Sequence, residues 1–234
     1  MGLHPLFTLG GRLQLCASMV RDQTTLADIG TDHAYLPIWL AKQGLVSRAI
    51  ASDVRPGPLK TAEQNILRYR VQDIVSTRLS DGLQAILPDE AEDIVLAGMG
   101  GELMKQILSA APWVKEEHKR LILQPMTSIP QLRGFLAERG FAILREQAVM
   151  EEDHAYTVML AGYRPQEVST DALYPYIGKL DAKTADNREY MRRLAANLEK
   201  KARGFRISGK NEDADALNAI IGKIKEITEK GERQ

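Results

Sequence analysis

The chain has 234 residues, 44% of them hydrophobic and 26% charged, with 31 basic and 31 acidic side chains. That length holds one core of about 150 residues plus a smaller appended unit, and no apolar stretch approaches the roughly 20 residues of a membrane span. The start, MGLHPLFTLGG, lacks the pattern of a secretory signal, Leu6 fails the Ser/Thr requirement of a myristoylation motif, and the lone Cys16 excludes an internal disulfide, so a soluble chain in a reducing cytoplasm is expected.

In chain order, periodicity predicts a helix over Arg12 to Val20, with Cys16 as a small buried side chain, then a strand at Leu26 to Ile29. Further strands are expected near Arg48 to Ser52, Ile74 to Leu79, Asp93 to Leu96 and Arg120 to Leu123, each followed by a helix-compatible segment. Such βα repeats imply a parallel sheet covered on both faces. After a helix over Ser128 to Arg139, the runs Phe141 to Met150 and Ala155 to Ala161 are separated only by Glu151 to His154, which makes them an antiparallel hairpin. The fold class is therefore α/β: five parallel strands and a hairpin, resembling the Rossmann-like seven-stranded sheet of class I methyltransferases.

Gly162 to Asp171 reads as a linker. Beyond it, Met191, Leu194, Ala195, Leu198 and Ala202, then Ala214, Leu217, Ile220, Ile221, Ile224 and Ile227, recur at helical spacing on either side of Ser208 to Asn211. An appended, coiled-coil-like α-helical hairpin follows, dividing the chain into domains 1–163 and 164–234. Charge divides unevenly too. Arg188 to Lys210 holds eight basic residues against two acidic ones, a local anion-attracting patch within a chain of zero net charge.

Five strand ends carry the candidate chemistry. Asp28-Ile29-Gly30-Thr31-Asp32-His33 follows the first strand where dinucleotide enzymes place G-x-G-x-x-G, yet it has one glycine and two nearby carboxylates. Carboxylates repel a pyrophosphate and favour the ammonium and sulfonium of S-adenosylmethionine; Asp28 or Asp32 can alternatively cap the next helix. Asp53 ends the second strand, where a carboxylate accepts ribose hydroxyls or caps the helix near Pro56. Asp81-Gly82 follows the third, either accepting from an adenine amine or forming a plain turn. Gly98-Met99-Gly100-Gly101 follows the fourth and permits close backbone approach, with no P-loop signature. Gln124, ending the fifth, either reads a base edge or is an ordinary loop residue. His4, His33, His118 and His154 are scattered, with no zinc-ligand spacing, so no metal is expected.

Ala27 to Pro37, Ala97-Gly98-Met99-Gly100-Gly101-Glu102 and Leu121-Ile122-Leu123-Gln124-Pro125, in that order, resemble the bacterial TrmK family of tRNA (adenine-22-N1)-methyltransferases. Two departures are Met126, where Asn often follows Gln-Pro, and Gly10-Gly11, where a more polar pair is usual. The resemblance implies that Asp28, Gly30, Thr31, Asp32, His33, Asp53, Asp81, Gly82 and Gly98 to Gly101 surround S-adenosylmethionine, and that the basic hairpin helps hold tRNA. Arg188, Arg192, Arg193, Lys200, Lys201, Arg203 and Arg206 are then the candidate phosphate contacts. Asp28 or Asp32 is expected to orient the adenine amine or take a proton. A monomer or weak homodimer is expected. The alternatives are a small-molecule methyltransferase that dimerises through the hairpin, and a non-catalytic RNA-binding protein with a retained cofactor pocket.

Overall fold

The computed structural model describes residues 5–233; His4 of the sequence reading lies outside them. Helix α1 (Gly11–Ala17) precedes β1 (Thr24–Ile29), α2 (Tyr35–Lys42), β2 (Val46–Asp53), α3 (Pro56–Arg68) and β3 (Val75–Leu79). Then come β4 (Asp93–Gly100), α4 (Gly101–Ala110), β5 (Arg120–Thr127), α5 (Ile129–Glu138), β6 (Phe141–Glu151) and β7 (His154–Tyr163). The seven strands form one sheet in the order β3-β2-β1-β4-β5-β7-β6. Pairings among β1 to β5 are parallel, while β7 runs antiparallel to both β5 and β6. The class I methyltransferase outline read from the sequence is the observed one.

The central strands are apolar on both sides because both faces are covered. Ile29, Leu96, Leu121, Leu123, Met104 and Leu136 pack on the face of α4 and α5, and Cys16, Leu26, Leu36, Ile38, Leu40 and Ile66 on the face of α1, α2 and α3. Cys16 is buried, and burial first of all pushes its thiol up to about 12, which keeps it protonated and inert.

One expected repeat is missing: β3 is followed by no α-helix, only by turns and a short 3-10 helix at Pro88–Glu90. The segment is tied down by side chains instead. The Ser80 hydroxyl donates to the Gly82 carbonyl and accepts from Ala85 N–H, while Arg78 donates to the Ala85 carbonyl and to Glu90. With Asp81-Gly82 turning the chain at one end and Pro88 at the other, too few residues remain for a helix.

The expected linker, Gly162 to Asp171, holds the end of β7 and a 3-10 turn (Pro165–Glu167), and after it comes α6 (Tyr174–Ile177), which packs on α5. Arg133 of α5 donates to the Pro175 and Tyr176 carbonyls and to Glu146 of β6, both charged side chains being fully buried. Helices α7 (Ala185–Ile207) and α8 (Asn211–Glu232) form the hairpin, with Met191, Ala195, Leu198, Leu217, Ile221 and Ile224 in its seam. Thr184 caps α7 by accepting from Asn187 N–H, and α7 docks on the sheet edge, where Asn187 and Asp186 accept from Ala148 N–H and Met150 N–H.

Candidate active site

A cleft of about 640 Å³ opens at the carboxyl ends of β1 to β4. Topology puts it there: β1 pairs with β2 on one side and β4 on the other, so the loops leaving these strands diverge at the switch point. The β1 loop forms its floor. Ile29 pairs with Ser52, and the Ser52 carbonyl accepts from Gly30 N–H at 2.7 Å and Thr31 N–H at 2.9 Å, which fastens the loop to β2. Gly30 has φ +73°, and a Cβ there would run into Met99 Cε, so glycine is what lets the β1 and β4 loops meet. Asp32 and Ala34 are also left-handed, at φ +56° and +59°, conformations that cost a side-chain-bearing residue on the order of 1–3 kcal/mol.

Asp28 is buried at the end of β1, its Oδ2 accepting from the Thr31 hydroxyl at 2.6 Å. Burial, with a smaller contribution from the Asp53 charge, pushes its carboxyl up to about 6 against the lowering effect of the Thr31 hydrogen bond. Asp53, also buried, accepts from Arg55 N–H at 2.8 Å and lies 3.6 Å from Arg55 Nε. The N-cap residue of α2 is Ala34, so neither Asp28 nor Asp32 caps it, while Asp53 does bond the N-cap residue of α3, Arg55.

Asp28, Asp32, Asp53 and Asp81 thus line one cleft with Arg12 and Arg55, against an apolar wall of Ile29, Leu36, Met99, Leu103 and Ile107. A surplus of acceptors suits a ligand presenting an ammonium, a diol and an exocyclic amine, and repels a pyrophosphate. Among the described residues, no group of three or more His, Cys, Asp or Glu is placed to hold a metal ion. No described helix is long and apolar enough to cross a membrane.

Residues 9–159 match the family model described as a methyltransferase domain. The tRNA (adenine(22)-N(1))-methyltransferase of Bacillus subtilis (strain 168) is 33% identical over 172 residues, covering 74% of this chain and 72% of that protein. The crystal structure of the B. subtilis m1A22 tRNA methyltransferase TrmK is similar with a TM-score of 0.80 at 27% identity, covering 96% of this chain and 100% of that one. This chain belongs to the TrmK family. M. capricolum TrmK, solved with the natural cofactor product S-adenosyl-homocysteine, is similar with a TM-score of 0.78 at 25% identity, covering 94% of this chain and 100% of that one. The likeness to TrmK therefore extends through the helical hairpin.

Within this TrmK fold, Asp28, Gly30, Thr31, Asp32, Asp53, Asp81, Gly82, Gly98 and Met99 come together around the cleft. His33, Gly100 and Gly101 do not line it. The His33 ring lies beside Tyr35, with Nε2 3.4 Å from Asp32, and its backbone carbonyl accepts from Asn65. A Cβ on Gly101 would sit 2.7 Å from the Ser128 carbonyl oxygen, so this glycine lets α4 start against the loop after β5. Gln124 differs from its expected role as a base reader. It is fully buried, and its Oε1 accepts from Gly98 N–H at 2.9 Å and from Arg12 Nη1 at 3.2 Å. Its amide thus fixes the β4 loop, and Gln124 does not itself line the cleft.

Sequence reading missed Arg12, Tyr35, Arg55 and Leu103 in the lining. Arg12 comes from α1, which no strand-end motif marks. In the hairpin, folding spends part of the basic patch internally. Arg188 donates to the Ala182 and Lys183 carbonyls, Arg192 pairs with Glu189 and Glu232, Arg193 with Glu189, and Arg206 with Asp215. Lys200, Lys201 and Arg203 are exposed and outside these pairs.

Proposed function

We propose that this chain is an S-adenosylmethionine-dependent methyltransferase that modifies N1 of adenine 22 in tRNA, using domain 1–163 for catalysis and 164–234 as the tRNA-holding hairpin. The observation that carries the reading is the acidic cleft at the sheet's switch point, in a chain similar to TrmK through both catalytic sheet and hairpin. When bound, the cofactor supplies an electrophilic methyl group on a sulfonium.

The remaining work belongs to the chain. Buried Asp28 and Asp53 are the acceptors for an ammonium and for ribose hydroxyls, Asp81 for an exocyclic amine, and Gly30 and the Gly98-Met99 loop allow close approach. The N1 lone pair is available at neutral pH, so no covalent enzyme intermediate is needed and the chain chiefly positions the base and excludes water. Of the two carboxylates expected to act on the base, Asp32 stands at the exposed rim and Asp28 at the buried floor. Asp32 is accordingly assigned to orient the adenine N6 and to accept a proton once the methylated ring is cationic. N1 lies on the Watson–Crick edge, so the adenine is taken out of pairing before it enters. Gln124 serves by holding the Gly98 loop and Arg12, and exposed Lys200, Lys201 and Arg203 carry the hairpin's phosphate contacts. A cytoplasmic monomer or weak homodimer completes the reading.

The test is transfer of labelled methyl from S-adenosylmethionine to unmodified tRNA followed by nucleoside analysis. 1-Methyladenosine at position 22 is expected from wild type and not from Asp28→Ala. Cofactor-binding protein that methylates no nucleoside would refute the assignment.

A further inference from the structure

Arg12 is the cleft residue that the acidic floor does not explain. Its backbone N–H donates to Glu151 Oε2 at 2.7 Å, Nη1 donates to the neutral Gln124 amide at 3.2 Å, and Nε stands 3.9 Å from Glu151 Oε1. The side chain is therefore braced from two strands, β5 and β6, and about a third exposed, with Nη1 in van der Waals range of where a Gly98 Cβ would lie. A guanidinium carries five donors, and among the described residues the bond to Gln124 is its one side-chain hydrogen bond. Arg55, by contrast, leans on the buried Asp53. Arg12 is thus a braced cation whose remaining donors are uncommitted, facing the cleft in which a polyanion would be methylated.

We propose that Arg12 binds a backbone phosphate flanking the target adenine, an inference that rests on the tRNA reading above. Chemistry separates this role from contact with the base. A guanidinium donating to N1 would occupy the lone pair that must accept the methyl group, and it would oppose the positive charge the ring acquires. A phosphate meets neither objection and matches the planar fork of donors. Bracing by Gln124 and Glu151 lowers the entropy lost on holding the phosphate, so a single contact can fix the flipped nucleotide against the cleft.

The experiment compares wild type, Arg12→Ala and Arg12→Lys for tRNA affinity over a range of salt, with S-adenosylmethionine affinity and thermal midpoint measured alongside. Losing one charge-assisted bond predicts roughly 10- to 100-fold weaker tRNA binding in Arg12→Ala, and a slope of log K against log salt reduced by about one. Arg12→Lys should keep the slope and recover part of the affinity; because Arg12 lines the cofactor cleft, tRNA binding is compared at saturating cofactor in all three proteins. A methylphosphonate at one of the two phosphates flanking adenine 22 should weaken wild type and leave Arg12→Ala unaffected. The proposal is overturned by an unchanged slope, by parallel losses of cofactor affinity and thermal stability that mark a structural role, or by a methylphosphonate penalty that persists without Arg12. Wild-type protein that neither binds nor methylates tRNA would overturn the functional reading itself, a result visible before any variant is compared.

Discussion

Replacing Asp28 with Asn should make the cofactor-free protein more stable while weakening cofactor binding. The carboxyl sits near 6 in the folded chain against an ordinary 3.8, and at 1.36 kcal/mol per unit this difference is worth about 3 kcal/mol. The sign follows from linkage: a carboxyl raised by folding holds its proton more tightly in the native state, so its ionisation destabilises that state. The penalty is fully present above about pH 6, roughly halved near pH 5, and gone below 3.8. Asn keeps an oxygen to accept from the Thr31 hydroxyl and removes the buried charge. For a chain of this size about 3 kcal/mol corresponds to a rise of roughly 6–12 °C in thermal midpoint. Thermal unfolding of wild type and variant without cofactor, at pH 8 and pH 4.5, measures it. Calorimetry should show cofactor affinity down roughly 10- to 100-fold, the loss of one charge-assisted bond. A variant no more stable than wild type at pH 8, or equally stabilised at both pH values, would refute the argument that a buried charge is kept here for a cationic ligand.

Gln124→Glu retains oxygen acceptors for Gly98 N–H and Arg12 and should keep much of its methylation activity, whereas Gln124→Leu removes the acceptor that holds both and should lose it; steady-state kinetics on tRNA decide, and equal loss in both would restore the amide as a reader of the base. Arg133→Met strands Glu146 fully buried and should cost about 3–5 kcal/mol in urea unfolding. Adding Glu146→Leu should recover only part of that, because the Thr157 hydroxyl and Lys179 N–H also donate to Glu146. Alanine at Lys200, Lys201 and Arg203 together should reduce the salt dependence of tRNA binding by up to about three phosphate contacts; the same change at Arg192 and Arg206, already paired within the hairpin, should reduce it less.

Much of the architecture was legible because parallel strands buried on both faces must be nearly continuous apolar runs, and because hairpin helices must repeat their apolar residues every three to four positions. The β3 segment was misread because helix-compatible spacing between Leu83 and Ile86 says nothing about Ser80 and Arg78, whose side chains close the loop. The short helix α6, which follows the linker expected at Gly162 to Asp171, has no sequence signal of its own, because the anchor that packs it down, Arg133 on the Pro175 and Tyr176 carbonyls, lies some 40 residues upstream.

At the site, the sequence by itself determined the acidic and glycine-bearing loops, since residue types at strand ends follow from strand periodicity and a parallel sheet gathers those ends on one side. Tertiary structure alone decided what each group does there. Burial gives Asp28 and Asp32, four positions apart in sequence, different surroundings, close packing on the Ser128 carbonyl takes Gly101 out of the cleft, and hydrogen bonds make Gln124 a brace for Arg12. Desolvation, steric approach and donor–acceptor pairing are properties of neighbours in space, and no spacing along the chain encodes them.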